Sequence, residues 1–145
     1  DYFQVINFHS ETHKLFESPL PATPQNIRTA VSSVRNLLAG GGTEMLPALN
    51  AALGNRANSD RVRQVIFITD GSVSNEDTLL GYIRNHIGQS RLFTIGIGSA
   101  PNGFFMRKVA EMGRGTFTYI GKTSEVKLKM NELFCNLDSP VLTMI

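Results

Sequence analysis

Hydrophobic positions change their spacing several times along the chain, and each change marks an element. From Phe3 to Phe8, large apolar Phe3 and Val5 alternate with polar neighbours before the run turns apolar, the pattern of a strand. Lys14 to Glu17 predicts a second short strand. The Ser-Pro-Leu-Pro run at 18–21 keeps it at a sheet edge, because proline cannot donate to a ladder. The few residues between the two predict an antiparallel hairpin. Ile27, Val31, Val34 and Leu38 then recur at helical spacing. They lie between an N-cap Thr23, with Pro24 at the first helical position, and a closing Gly40. A second helix is predicted from Thr43 to Gly54, burying Met45, Leu46, Leu49 and Leu53, with Pro47 near enough to its start to be tolerated.

The second half alternates more regularly. Val65–Thr69 is a continuous, β-branched apolar run, as in a strand buried on both faces of a parallel sheet. Ser74 with Asp77 resembles a capping box for a helix through Leu79, Leu80, Ile83 and Ile87, closed by Gly88. Arg91–Ile97 predicts a strand, and Asn102 opens a helix carrying Phe105, Val109 and Met112, closed by Gly113. Thr116–Ile120 predicts the last strand. Ser124 opens a final helix with Val126, Met130, Leu133 and Leu137. Strands alternating with helices predict an α/β fold: a doubly wound, mostly parallel sheet with an antiparallel edge strand and helices on both faces.

Composition narrows the class. A length of 145 residues suits one domain, residues 1–145, with a real core. Hydrophobic residues at 41% and charged residues at 18% exclude intrinsic disorder. A net charge of +2 is too small for a nucleic-acid or anionic-membrane footprint. The single cysteine, Cys135, excludes an internal disulfide and a thiolate zinc cage. No apolar run approaches the roughly 18 residues that span a bilayer. Both ends read as cut: an immediate strand at one, an apolar tail Val141–Ile145 at the other, so a piece of a longer protein is expected.

In doubly wound sheets ligands sit beyond the carboxyl ends of the strands. Two segments there carry chemistry. Gly40-Gly41-Gly42-Thr43-Glu44 has the glycines of a phosphate cradle but no lysine before its threonine, so it is not a P-loop. Asp70 follows a buried strand, and its carboxylate with the Thr43 hydroxyl forms a hard oxygen donor set of the kind Mg²⁺ takes. The plainer readings are a flexible turn with an N-cap threonine, and a turn aspartate with Gly71 supplying a positive φ. Gly96-Ile97-Gly98-Ser99-Ala100-Pro101 begins like a dinucleotide fingerprint but has Pro101 where the third glycine belongs. His9, His13 and His86 read as surface histidines, and Cys135 as a small, partly buried residue. Arg56, Arg61 and Arg63 read as solvated surface.

Taken together, Gly41-Gly42-Thr43-Glu44-Met45-Leu46-Pro47-Ala48-Leu49, Val65 to Gly71 and Phe93-Thr94-Ile95-Gly96-Ile97-Gly98-Ser99 resemble the later motifs of a von Willebrand factor type A domain. Asn75-Glu76-Asp77 and Gly113 to Ile120 are similar to the bacterial subgroup akin to inter-alpha-trypsin inhibitor heavy chains. The resemblance implies a non-enzymatic protein-binding or adhesion module with a metal-ion-dependent adhesion site. There Mg²⁺ or another divalent cation is held by an Asp-x-Ser-x-Ser loop, a threonine and an aspartate. It assigns Thr43 and Asp70 to the last two roles. Asp70-Gly71-Ser72-Val73-Ser74 formally spells the first loop, but it follows the threonine loop and belongs to the third motif. The first strand, first loop and first helix are therefore absent from residues 1–145, and the cation is expected to bind weakly or not at all. The resemblance further implies a protein ligand engaged through a carboxylate, no nucleic-acid partner, and a cell-envelope or secreted location. The alternative is a nucleotide- or dinucleotide-binding α/β enzyme domain.

In the family, the absent strand lies between those matching Phe3–Phe8 and Val65–Thr69. Unpaired buried backbone groups cost about 1–3 kcal/mol each, so the two strands pair directly, or a segment of another chain or the tail Val141–Ile145 fills the slot. Direct pairing is expected first, leaving uncovered the sheet face where the family's first helix lies, an apolar patch that favours self-association.

Overall fold

The computed structural model describes residues 1–54, 60–70, 72–99 and 102–138. It divides into two compact units, Asp1–Ala57 and Asn58–Ile145, each considered by itself.

The first unit begins with four short strands. β1 (Tyr2–Phe3) pairs antiparallel with β4 (Leu20–Pro21), and β2 (Ile6–Phe8) with β3 (Thr12–Lys14). The hairpin is as expected, but the predicted Phe3–Phe8 strand is broken. Gln4 breaks it: its Oε1 accepts from the Val5 and Phe16 amides, both at 3.0 Å, and its Nε2 donates to the Phe16 carbonyl at 2.7 Å. The second strand correspondingly sits at Thr12–Lys14 rather than at 14–17. The Phe3 and Phe16 rings meet edge to face at 5.5 Å beside this break.

Helix α1 (Pro24–Arg35) starts as its sequence demands, with the Thr23 hydroxyl accepting from the Asn26 amide at 3.2 Å. It ends at Arg35, capped by Asn36, well before Gly40. Its apolar stripe is not buried as expected: only Ala30 is, while Ile27, Val31 and Val34 are 45%, 43% and 50% exposed. Helix α2 (Met45–Leu53) packs on β2 and β3 and buries Met45, Ala48, Leu49 and Leu53.

The second unit holds the parallel sheet, in the order β5 (Gln64–Thr69), β6 (Arg91–Ile97), β7 (Arg114–Ile120). β6 falls where a strand is predicted, and it is central and buried from Leu92 to Gly96. β5 is not buried on both faces as expected; it ends the sheet, and Ile68 is 45% exposed. Among the described residues the ladder of β5 is with β6, and that of β2 is with β3.

Helices cover both faces of this sheet. α3 (Glu76–His86) buries Leu79, Leu80 and Ile83, and α4 (Gly103–Met112) buries Phe105, Met106, Val109 and Ala110. The fully buried Thr94 fixes α4 to one face by donating its hydroxyl to the Met106 carbonyl at 2.8 Å. On the other face Phe93, Ile95 and Ile120 pack around Leu133 of α5 (Val126–Asp138), with Ile66, Met130 and Leu137 at the margin. A 3₁₀ turn, Thr123–Glu125, leads into α5.

The link from α4 to β7 is tight. A Cβ on Gly113 would lie 2.4 Å from the Leu92 Cβ, and one on Gly115 2.1 Å from the Leu92 carbonyl oxygen, so both positions require glycine. Between them Arg114 adopts a left-handed φ of 56°. Its Nη2 donates to the carbonyls of Gly88 (2.6 Å) and Ser90 (2.7 Å).

Candidate functional site

In the second unit, Asp70 follows the last residue of β5 and is exposed. Its position is set by the apolar strand that ends there, so a carboxylate is carried to the carboxyl edge of the sheet on a rigid element. Among the described residues nothing hydrogen-bonds or ion-pairs with that carboxylate. Gly71, expected to turn with a positive φ, lies outside the described residues. Ser72 and Ser74 are exposed. The capping box expected of Ser74 and Asp77 does not form: α3 starts at Glu76 behind Asn75, without a side-chain cap.

A clasp unforeseen in the sequence joins the loops after β5 and β6. Asn102 caps α4, its Oδ1 accepting from the Phe105 amide at 3.1 Å, and its Nδ2 donates to Glu76 Oε1 at the start of α3. One side-chain amide thus ties the beginnings of two helices together at the same edge as Asp70. Phe104, next along α4, is 71% exposed. The dinucleotide reading of Gly96–Gly98 loses its geometry, because Gly96 is inside β6, opposite Thr69 and Tyr119, rather than in a loop. Ala100 and Pro101 lie outside the described residues.

In the first unit, Thr43 belongs to the loop before α2 and is exposed. It was expected to cap that helix; instead α2 begins at Met45 behind Glu44, which leaves the Thr43 hydroxyl free of capping. The loop rests on the tip of the β2–β3 hairpin. The Gly42 amide donates to the Ser10 hydroxyl at 2.9 Å, and the Glu44 amide donates to the His9 carbonyl at 2.9 Å. Gly41 has φ 78°, and a Cβ there would lie 3.0 Å from both His9 Nδ1 and Ser10 Oγ. Only glycine suits that position.

The remaining candidates make local contacts or sit at the surface. His9 Nδ1 accepts from the Glu11 amide at 3.3 Å, and His13 Nε2 lies 3.4 Å from Glu11 Oε2. His86 stacks on Tyr82 at 4.0 Å and bonds the Tyr82 carbonyl. His9 and His86 are half-buried rather than on the surface, and Cys135 is exposed rather than partly buried. Arg61 is exposed and Arg63 half-buried; Arg56 lies outside the described residues. Among the described residues, no group of three His, Cys, Asp or Glu side chains is arranged to hold a metal ion. Of the two residues expected to meet a cation, Thr43 carries an exposed hydroxyl in the first unit and Asp70 an exposed carboxylate in the second. Both are hard oxygen donors suited to Mg²⁺, which keeps most of its water.

Strands alternating with helices around a parallel sheet define a doubly wound α/β fold. Residues 1–119 match the von Willebrand factor type A domain, and the chain belongs to that family. It is 29% identical, over 99% of its length, to a von Willebrand factor A domain-containing protein of Dictyostelium discoideum, and covers 16% of that protein. It is 28% identical, over all of its length, to mouse inter alpha-trypsin inhibitor heavy chain 4, and covers 17% of it. The chain thus spans about a sixth of these relatives. A solved von Willebrand factor type A protein from Catenulispora acidiphila superposes with a TM-score of 0.78 at 25% identity, over 90% of this chain and 32% of that one. Domains of this family commonly mediate protein interaction and are typically non-enzymatic. No helix among the described residues is long and apolar enough to cross a membrane.

Proposed function

We propose that this domain is a non-enzymatic adhesion module that binds a protein ligand through a divalent cation. Thr43 supplies a hydroxyl to the cation and Asp70 a carboxylate. A carboxylate of the ligand protein fills a remaining coordination position. The observation that carries this reading is the loop at Gly41–Glu44: its backbone is pinned on both sides of Thr43, while the Thr43 side chain stays exposed and uncommitted to capping. Two protein donors leave most of the cation's shell to water, so affinity in residues 1–145 is weak. The bound cation supplies positive charge for an incoming carboxylate. Thr43 and Asp70 orient it, and the glycine-rich backbone lets a ligand approach closely.

The reading is tested with the full-length protein and a ligand protein captured in a cation-dependent manner. Asp70→Ala and Thr43→Ala are expected to abolish that binding while leaving the fold intact. Persistence of cation-dependent binding in Asp70→Ala refutes the assignment. A calorimetric panel of ATP and NAD addresses the enzyme alternative, which micromolar binding of either would revive. The cell envelope or the secreted fraction is the expected location. Self-association is expected through the sheet face that lacks the family's first helix, with light scattering as its check.

A further inference from the structure

The tip of the β2–β3 hairpin does more than reverse the chain. We propose that Ser10 is a positioning residue for Thr43: with the His9 carbonyl it clamps the peptide groups on either side of Thr43 and presents the hydroxyl ready-oriented for a cation. The inference rests on the reading of Thr43 as a cation ligand.

Two hydrogen bonds bracket a single residue, Gly42 N to Ser10 Oγ on one side and Glu44 N to His9 O on the other, both 2.9 Å. Between these anchors the backbone torsions of Thr43 are fixed, whereas its own side chain is spent on nothing among the described residues. The anchors come from residues far away in sequence, so the loop is held by tertiary structure rather than by its own glycine-rich stretch. Gly41 seals the arrangement, because its left-handed φ and the 3.0 Å approach of His9 Nδ1 and Ser10 Oγ exclude a side chain. Three consecutive glycines would otherwise leave Thr43 with high conformational entropy, which binding would have to overcome. A loop ordered in advance loses less on capturing a weakly held ion. Ser10 is itself exposed and replaceable without opening a core.

The test uses Mn²⁺ alone as the probe, on the 145-residue chain, with line broadening of amide resonances and hydrogen exchange as readouts. Ser10→Ala is expected to accelerate exchange of the Gly42 amide without metal and to weaken Mn²⁺ binding roughly tenfold, the cost of ordering about one backbone residue. Exchange in β2, β3 and α2 should not change. Ser10→Thr, which keeps the hydroxyl, is expected to restore both readouts. A merely structural serine would alter exchange and leave Mn²⁺ affinity untouched. Mn²⁺ broadening that is lost in Thr43→Ala but unchanged in Ser10→Ala overturns this inference alone. Broadening that persists in Thr43→Ala, or Mn²⁺ binding that is absent from the full-length protein as well as from the 145-residue chain, overturns the cation reading and this inference with it.

Discussion

Replacing Arg114 by alanine and by glycine should separate two opposing energies stored at one position. Arg114 sits at φ 56°, a conformation that costs an L-residue with a Cβ roughly 1–2 kcal/mol. In return its guanidinium donates to the Gly88 and Ser90 carbonyls at 2.6 and 2.7 Å. Charge-assisted bonds of this kind are worth about 1.5–3 kcal/mol when buried. Arg114 is exposed, so solvent screening brings each to about 0.5–1 kcal/mol. Arg114→Ala loses both bonds and keeps the strained backbone, for a net loss of about 1–2 kcal/mol. Arg114→Gly loses the same bonds but relieves the strain, offset by about 0.4–1 kcal/mol of extra unfolded-state entropy. The glycine variant should therefore be about 0.5–1 kcal/mol more stable than the alanine variant, and below or near the wild type. Urea unfolding followed on amide resonances of β6 and β7 resolves this, since an m-value of about 1–3 kcal/mol per molar converts the losses into readable midpoint shifts. Alanine at least as stable as glycine would show that the left-handed conformation stores no strain. Alanine equal to arginine would show that the two carbonyl contacts contribute nothing.

Two further outcomes follow from single groups. Thr12 Oγ1 is buried without a hydrogen-bond partner among the described residues. Thr12→Val should thus stabilise the first unit by about 0.5–1 kcal/mol in thermal unfolding, and a destabilised variant would reveal a partner for that hydroxyl. The Glu125 carboxyl is held below the usual carboxylate range first by its hydrogen bond from Lys129, 3.2 Å away. Its contribution to the start of α5 is therefore present above the ordinary carboxylate pKa and lost as pH falls through the lowered value. Acidification should loosen the first turn of α5 in wild type, and Glu125→Gln should remove that pH dependence from its amide exchange.

The second unit was largely legible in the sequence, and particular residues show why. The bounds of Arg91–Ile97 are legible to the residue because its bulky and β-branched positions stand between the Gly88 and Asn102 helix signals. Asn102 and Thr23 were readable as caps because capping is a local bond. What failed depends on distant partners. Nothing near Gln4 in sequence announces that its side chain will bond the backbone of Phe16 and interrupt the strand. The stripe of α1 has the periodicity of a buried face, yet periodicity reports only amphipathicity, and Ile27, Val31 and Val34 remain exposed. At the candidate site, Thr43 and Asp70 were picked out by motif, whereas Ser10 and the Glu76–Asn102 pair were not. Their contacts join segments that only folding brings together.

Gln4 also has a mechanical consequence. Tyr2 faces Pro21 and Phe3 faces Leu20, and on that register Ile6 would face Glu17, but it faces Lys14. Two ladders of unequal register are spliced into one hairpin, and the glutamine amide stands in for the missing peptide group at the splice. Such a joint places the three extra residues, 17–19, at the base, while Leu15 N on the Val5 carbonyl and Gln4 on Phe16 continue the register of β2 with β3. Insertions or deletions at the base can then be absorbed before they rotate the tip, where His9 and Ser10 hold the threonine loop.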